Sequence, residues 1–336
     1  MRYLRGALCL AGVILLGVLI AENDPAVIFA SIRDLSWRLG IIVVFPEVIV
    51  VLCDTVGWRY AFARDRVTLR RLFWVRTAGE AFNMVTPTAS MGGEAIKIWL
   101  LRGRAPVHES LPAVIVAKTT ITIGQGVLLL VGVVLAGRLA SADSRLLMAM
   151  QWLLVLEVLA LAAFVLVQTR GMLGWGGRVL GRFGFSLGRH AVLGRADDGL
   201  ARFYRDHPAR FLLSVAFHLV GWLLGAAETY LILWLLGEPV SWLTAVVIEA
   251  FGTGIRFATF FIPASLGTFE GGNVAIFVAL GLSATLGVSF SLVRRMREAT
   301  WVGLGLLAFA LMRPREVAAE AASGDGTVVA PRGSPG

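Results

Sequence analysis

Two stretches of this chain gather polar and charged side chains at points where an apolar run is interrupted. In Glu80–Arg102, EAFNMVTPTASMGGEAIKIWLLR, the residues Glu80, Asn83, Thr86, Thr88, Ser90, Glu94 and Lys97 surround Pro87, Gly92 and Gly93. Proline removes a backbone donor and glycine frees the backbone, so these residues break a helix. The second stretch, Ala258–Phe277, reads ATFFIPASLGTFEGGNVAIF. Allowing one gap, Pro87-Thr88-Ala89-Ser90-Met91-Gly92 and Pro263-Ala264-Ser265-Leu266-Gly267 share an order: proline, Ala-Ser, a large apolar residue, glycine. Glu94 follows Gly92-Gly93, and Glu270 precedes Gly271-Gly272 and Asn273. A half-helix starting after Gly93, and another after Gly272, would present free N–H groups and a positive dipole end. The chemistry this suits is the binding of an anion, such as a phosphate or an anionic headgroup.

Other charges lie inside apolar runs and so need a reason to be there. Lys97 and Lys118 are the chain's lysines. Lys118 shares a helix face with Thr122 and Gln125, at i+4 and i+7. Both lysines either reach a site or snorkel to the cytoplasmic interface. Glu249 and Arg256 are seven apart on one face. Arg294, Arg297 and Glu298 fall near the middle of the last apolar run, with Glu298 at i+4 from Arg294. They form either a functional cluster or an internal ion-pair network. Glu47, Asp54, Glu157 and Glu228 read as interhelical hydrogen-bonding carboxylates, and His218 as a packed histidine. The alternative for the four carboxylates is proton coupling.

The elements that must carry these residues are membrane helices. The chain has 336 residues, is 57% hydrophobic and has a mean hydropathy of +0.78, against about 45–50% apolar residues in soluble domains. Its net charge of +9 sits in loops between apolar runs, as the positive-inside rule expects, so a membrane surface and not nucleic acid is the partner. Cys9 and Cys53 form no metal or disulfide spacing and read as buried free thiols. The first run, with its basic start, reads as a retained span and not a cleaved signal peptide.

Six spans are expected, at about 6–21, 39–56, 112–137, 146–168, 211–236 and 284–311. Residues 22–38 read as a nearly neutral loop. The basic loop 57–76, and Arg102 with Arg104, would be cytoplasmic, so segment 77–101 enters and leaves on one side. Segment 241–283 repeats the pattern from the opposite side. The fold class expected is therefore an all-α membrane protein, with about six transmembrane helices plus two re-entrant broken-helix segments in an inverted repeat. The alternative is two unrelated re-entrant loops. Inverted repeats place their substrate at the interface near mid-bilayer. The membrane domain would cover 1–315. Basic loop 169–210 would be cytoplasmic, either as interfacial helices on anionic lipid or as a solvated loop. Residues 316–336 would be a disordered low-complexity tail.

No HExxH, GxSxG, P-loop or Asp-rich magnesium motif is present, and no paired carboxylates of the transferase kind are evident. The reading is therefore not an enzyme, with no metal or cofactor. Asn83, Pro87, Gly92-Gly93-Glu94 and Lys97-Ile98, with Pro263, Ser265, Gly267, Glu270 and Arg294, resemble the signatures of the lysylphosphatidylglycerol synthase transmembrane (flippase-like) family. The resemblance covers about 1–315. It implies an inner-membrane helical fold with paired re-entrant elements that moves lipids. It does not imply aminoacyl transfer, because the soluble synthase domain of some members has no counterpart in this sequence. Relatives often carry arginine at the position of Lys97.

The expected activity is translocation of a lipid with a phosphate-bearing headgroup. Lys97, Lys118, Arg256 and Arg294 would hold the phosphate at the two half-helix starts. The alternatives are a membrane-embedded transferase using a lipid-linked donor, or a scaffold of a lipid-biosynthesis complex. The expected setting is the bacterial inner membrane with both termini cytoplasmic. Membrane lipids, lipid-biosynthesis enzymes and a second copy of the chain are the expected partners.

Overall fold

The computed structural model describes residues 2–86, 92–138, 144–170 and 190–312. Among these the chain is all helix: α1 Arg2–Glu22, α2 Pro25–Leu35, α3 Arg38–Ala61, α4 Leu69–Val85, α5 Gly92–Leu100, α6 Val107–Ala136, α7 Ser144–Thr169, α8 His190–Asp206, α9 Pro208–Leu235, α10 Trp242–Ala258, α11 Thr268–Ala279 and α12 Ala284–Met312. Four of them, α3, α6, α7 and α9, are long and apolar enough to cross a bilayer. Val13–Glu22 and Pro25–Leu35 together make a fifth candidate, bent by 96°. Residues 22–38 are thus not the expected loop. Asp24 accepts a hydrogen bond from the Val27 N–H and Pro25 opens the helix, so Asn23-Asp24-Pro25 bends the chain and starts α2.

The 29 residues of α12 rise about 43 Å, although charges interrupt its apolar run. α4 and α5 are separated by a break, and so are α10 and α11. With 9 residues in α5 and 12 in α11, the second arm of each pair rises about 14–18 Å. Neither arm spans the roughly 30 Å of hydrocarbon.

The two broken pairs are held by the same two helices. α6 packs against α5 and α10, and α12 packs against α4 and α11. α4 also touches the Pro263–Ser265 turn, so the first pair reaches the break of the second. α3 and α9 pack along one another and close the bundle. One apolar core joins α6, α9, α10, α11 and α12 around Leu128, Ile232, Val247, Phe277 and Phe290. Another joins α3, α4, α5, α6 and α8 around Trp58, Leu72, Leu100 and Phe203. α8 lies within the basic segment 169–210 and buries Ala196, Leu200 and Phe203. It packs on α6, so this part is not a bare solvated loop. The tail expected at 316–336 lies outside the described residues. Cys53 is a free, half-buried thiol.

Candidate functional site

A cavity of about 690 Å³ lies among α3, α4, α5, α6, α7, α9, α10 and α12. Its wall carries seven carboxylates, Glu47, Asp54, Glu80, Glu94, Glu228, Glu249 and Glu298, and six cations, Arg76, Lys97, Lys118, Arg256, Arg294 and Arg297. Aromatic residues complete the wall. Phe164 and Phe260 line the cavity and are exposed. A smaller cavity of about 340 Å³ lies elsewhere, between the residues after α3, the start of α6, and α8.

At the first break, α4 and α5 cross closely because both are glycine at the contact. A Cβ on Gly93 would run into the Gly79 carbonyl, and one on Gly79 would lie 2.6 Å from Lys97 Cε. The crossing brings Lys97, 7% exposed, between two carboxylates. Its Nζ lies 2.7 Å from Glu80 Oε1 and 3.2 Å from Glu94. Asn83 Oδ1 accepts from the Gly93 N–H at 2.8 Å, and its Nδ2 donates to Glu80 at 3.3 Å. The start of α5 is therefore capped from within by Asn83. Arg76 pairs with Asp54 and ties α4 to α3.

At the second break, arginines of α12 collect carboxylates from four other helices. Arg294 reaches Glu249 at 2.8 Å and Glu228 at 3.3 Å. Arg297 reaches Glu228 at 3.0 Å and pairs with Glu47. Arg295 reaches Glu270 at 2.5 Å and Glu298 at 2.9 Å, and donates to the Ala264 carbonyl at 2.8 Å. Glu298 also pairs with Arg256, which stacks 3.7 Å above the Phe269 ring. Ala264 and Ser265 have φ of 50° and 49°. This left-handed backbone is costly for residues with a Cβ, and hydrogen bonds from Arg295 to both carbonyls help to hold it. Each of these charges would be expensive alone in hydrocarbon, and pairing offsets that expense.

The chain matches the family described as "Lysylphosphatidylglycerol synthase TM region" over residues 6–318. The chain belongs to this family. It is also 24% identical, over 314 residues, to a UPF0104 membrane protein of Methanothermobacter thermautotrophicus, covering 88% of this chain and 91% of the relative. No solved structure matches it. Fold, family and apolar helices together make this member a multi-pass membrane protein.

The fold of this family member brings Glu94, Lys97, Lys118, Glu249, Arg256, Arg294 and Arg297 to one cavity. Thr122 and Gln125 share that wall with Lys118, as their spacing predicts. Pro87 and Ser90 lie outside the described residues. Other expected residues build the breaks and do not line the cavity. Asn83 and Gly93 cap and pack α5, and Gly92 is its first residue. Pro263 opens the turn of the second break. Ser265 Oγ accepts from Thr259 at 3.0 Å. Gly267, with φ of 75°, turns the chain into α11. Asn273 is buried and bonds Ser291.

Several expectations need correction. The second half-helix begins at Thr268, not after Gly272; Gly272 is inside α11 against Ile255. The start of α11 is not an open anion site either, since Glu270 accepts the Gly267 N–H at 2.7 Å. Glu298 pairs with Arg256 and Arg295 and not with Arg294, which turns to α9 and α10. Glu80 and Glu94 are a carboxylate pair that their separation in sequence concealed. Glu47, Asp54 and Glu228 do bond across helices, but each to an arginine. Glu157 has no such bond among the described residues. His218 packs as expected, 3.0 Å from Thr120 Oγ1. The basic loop expected at 57–76 is shorter: α4 begins at Leu69, so Arg76 lies within that helix on the cavity wall and not in a loop; Arg295 stood outside the expected site. The signal for Arg295 was available: four charges within Arg294–Glu298 all require partners in an apolar run.

Among the six cavity cations, Lys118 differs. It is exposed to the cavity, and its ammonium has no hydrogen bond or ion pair among the described residues. Its charge acts on Glu80.

Proposed function

We propose that this protein translocates a lipid across the membrane, with a phosphate-bearing headgroup passing through the cavity between the two broken pairs. The observation that carries this reading is Lys118: a cation facing a cavity with charged walls, with no ion-pair partner among the described residues, while Arg256, Arg294, Arg297, Arg76 and Lys97 each have a carboxylate. An ammonium in such a position is a ready donor to a phosphate oxygen. The arginines and Lys97 already have carboxylate partners in the wall, so in this reading Lys118 makes the first contact with the phosphate. The aromatic border at Phe164 and Phe260 suits acyl chains that remain in lipid while the headgroup enters. Re-entrant topology and rocking of one repeat against the other supply the access change.

The basic ends favour an orientation with both termini in the cytoplasm of an inner membrane. Arg59, Arg66, Arg71 and Arg210 meet Asp65, Glu109 and backbone carbonyls at one end of the bundle, and the positive-inside rule assigns that end to the cytoplasm. A non-enzymatic role fits the same site. Glu80 and Glu94 are shared by the ammonium of Lys97, which leaves neither as a free base. The transferase alternative would draw on that pair, and it predicts covalent product from a lipid-linked donor.

The test uses purified protein in vesicles containing headgroup-labelled phosphatidylglycerol or phosphatidylethanolamine. Leaflet exchange should exceed that of protein-free vesicles. Lys118→Ala should slow it about tenfold or more, the value of one charge-assisted hydrogen bond. Exchange equal to empty vesicles for both lipids would sink the proposal.

A further inference from the structure

Glu157 lies halfway along α7, whose neighbouring side chains Trp152, Leu156 and Leu159 are exposed. Its own side chain is 1% exposed, and neither carboxyl oxygen has a hydrogen-bond or ion-pair partner among the described residues. The other acidic side chains deep in the helices have a cation. Arginines hold Glu47, Asp54, Glu228, Glu249, Glu270 and Glu298, and Lys97 holds Glu80 and Glu94.

The helices packed on α7 are α6, α8 and α10. α6 faces Glu157 with Gly126, where a Cβ would lie 3.9 Å from the carboxyl. The charged groups of α6 are Lys118, eight residues before Gly126, and His108 and Glu109 at its start. α10 brings Glu249 and Arg256, which are engaged by Arg294 and Glu298. α8 meets α7 through Tyr204, which bonds Gln168 at 2.6 Å, eleven residues past Glu157. Asp197, Asp198, Arg202, Arg205 and Asp206, the charges of α8 whose side chains are described, make no bond to Glu157 either. An ionised carboxylate is costly in such a setting, which favours the neutral acid.

Its position links it to the site. Ala160, Leu161 and Phe164 line the cavity, and they lie at i+3, i+4 and i+7 from Glu157, on one helical stripe. We infer that Glu157 is a proton-binding site at the edge of the cavity, and that proton movement through it drives transport. Sheltered by α6, the carboxylic acid keeps its proton. When the stripe is wetted from the cavity, the O–H bond breaks and the proton passes to water; it is regained from water on the other side. This coupling rests on the translocation reading above, whereas the proton site does not.

Two measurements on the full chain in vesicles test it. Dicyclohexylcarbodiimide modifies protonated carboxyls in apolar surroundings, so peptide mass spectrometry should find Glu157 labelled an order of magnitude more than Glu228 or Glu249. Exchange of labelled phosphatidylglycerol is then followed with and without an imposed pH gradient. The gradient should drive net transfer severalfold in the wild type. Glu157→Gln, a neutral isostere of the protonated form, should keep exchange and lose that response. Labelling of Glu157 no greater than of the paired carboxylates overturns the proton site. Exchange that ignores the gradient in the wild type, or an equal response in Glu157→Gln, overturns the coupling and leaves translocation standing. Labelled Glu157 with no lipid exchange would instead refute translocation.

Discussion

An arginine in an apolar helix is tolerable only when its charge is answered, and Arg294 is answered twice, by Glu249 and Glu228. Removing it would leave two buried carboxylates with fewer partners. Arg297 still reaches Glu228, and Thr229 still bonds Glu249 at 2.7 Å, so part of the damage is contained. Arg294→Ala should still destabilise the protein by about 3–5 kcal/mol, the usual effect of breaking a buried pair from one side. Arg294→Lys should recover part of this, because the charge returns but the two-carboxylate fork does not. Thermal unfolding in detergent would check both, and equal midpoints for wild type and Arg294→Ala would contradict the network. None of these pairings was legible residue by residue. The intramembrane charges were recognised from the apolar runs, but the i+4 rule chose Glu298 for Arg294, while interhelical packing chose Glu228 and Glu249. Local spacing describes one helix surface, whereas an arginine's reach extends to whichever helix lies opposite.

At the level of elements, each break is a pair of helices whose ends are satisfied from inside the protein. Asn83 caps α5 and Glu270 caps α11. The closest contact is Gly93 on Gly79, and it should be intolerant of a methyl group. Gly93→Ala is expected to cost about 1–3 kcal/mol by overpacking. Gly303→Ala, in α12 with nothing within 4 Å of the added methyl, should do the reverse and stabilise by up to about 1 kcal/mol, because alanine loses less backbone entropy in a helix. The two unfolding midpoints should therefore move in opposite directions. A Gly93→Ala midpoint at or above the wild-type value would contradict the close crossing. The breaks themselves were readable, since proline and glycine act locally. The start of α11 was not, because Gly271-Gly272 looks like a second break in sequence, while packing on Ile255 and α12 carries the helix through it.

For the whole molecule, the basic end is tied by Asp65, which receives Arg210 at 2.5 Å and Arg59 at 3.1 Å and so links the end of α3 to the start of α9. Partial burial pushes its carboxyl upward, but the hydrogen bonds from Arg210 and Arg59 outweigh it and hold the group below its ordinary value. A carboxylate depressed in the folded state contributes stability that is present above its unfolded value, near pH 4, and is lost as pH falls through the folded value. Wild type should therefore lose an increment below about pH 4 that Asp65→Asn lacks. The increment should be small and should shrink in salt, since the pair is partly exposed. Parallel pH profiles for the two proteins would argue against it. The sequence alone determined the membrane class, the family, the sites of the breaks and the approximate limits of the long apolar helices, for example 146–168 against Ser144–Thr169 and 284–311 against Ala284–Met312. Those features follow from runs of apolar residues and from backbone chemistry, which act over short distances. Only the tertiary structure decided that α1 bends into α2, that the broken pairs share α6 and α12, and that among the described residues Lys118 has no ion-pair partner and Glu157 no cation. A charge is answered or left open by its neighbours in space, and Arg294 finds Glu249 and Glu228 from 45 and 66 residues away, across distances that no periodicity in the chain records.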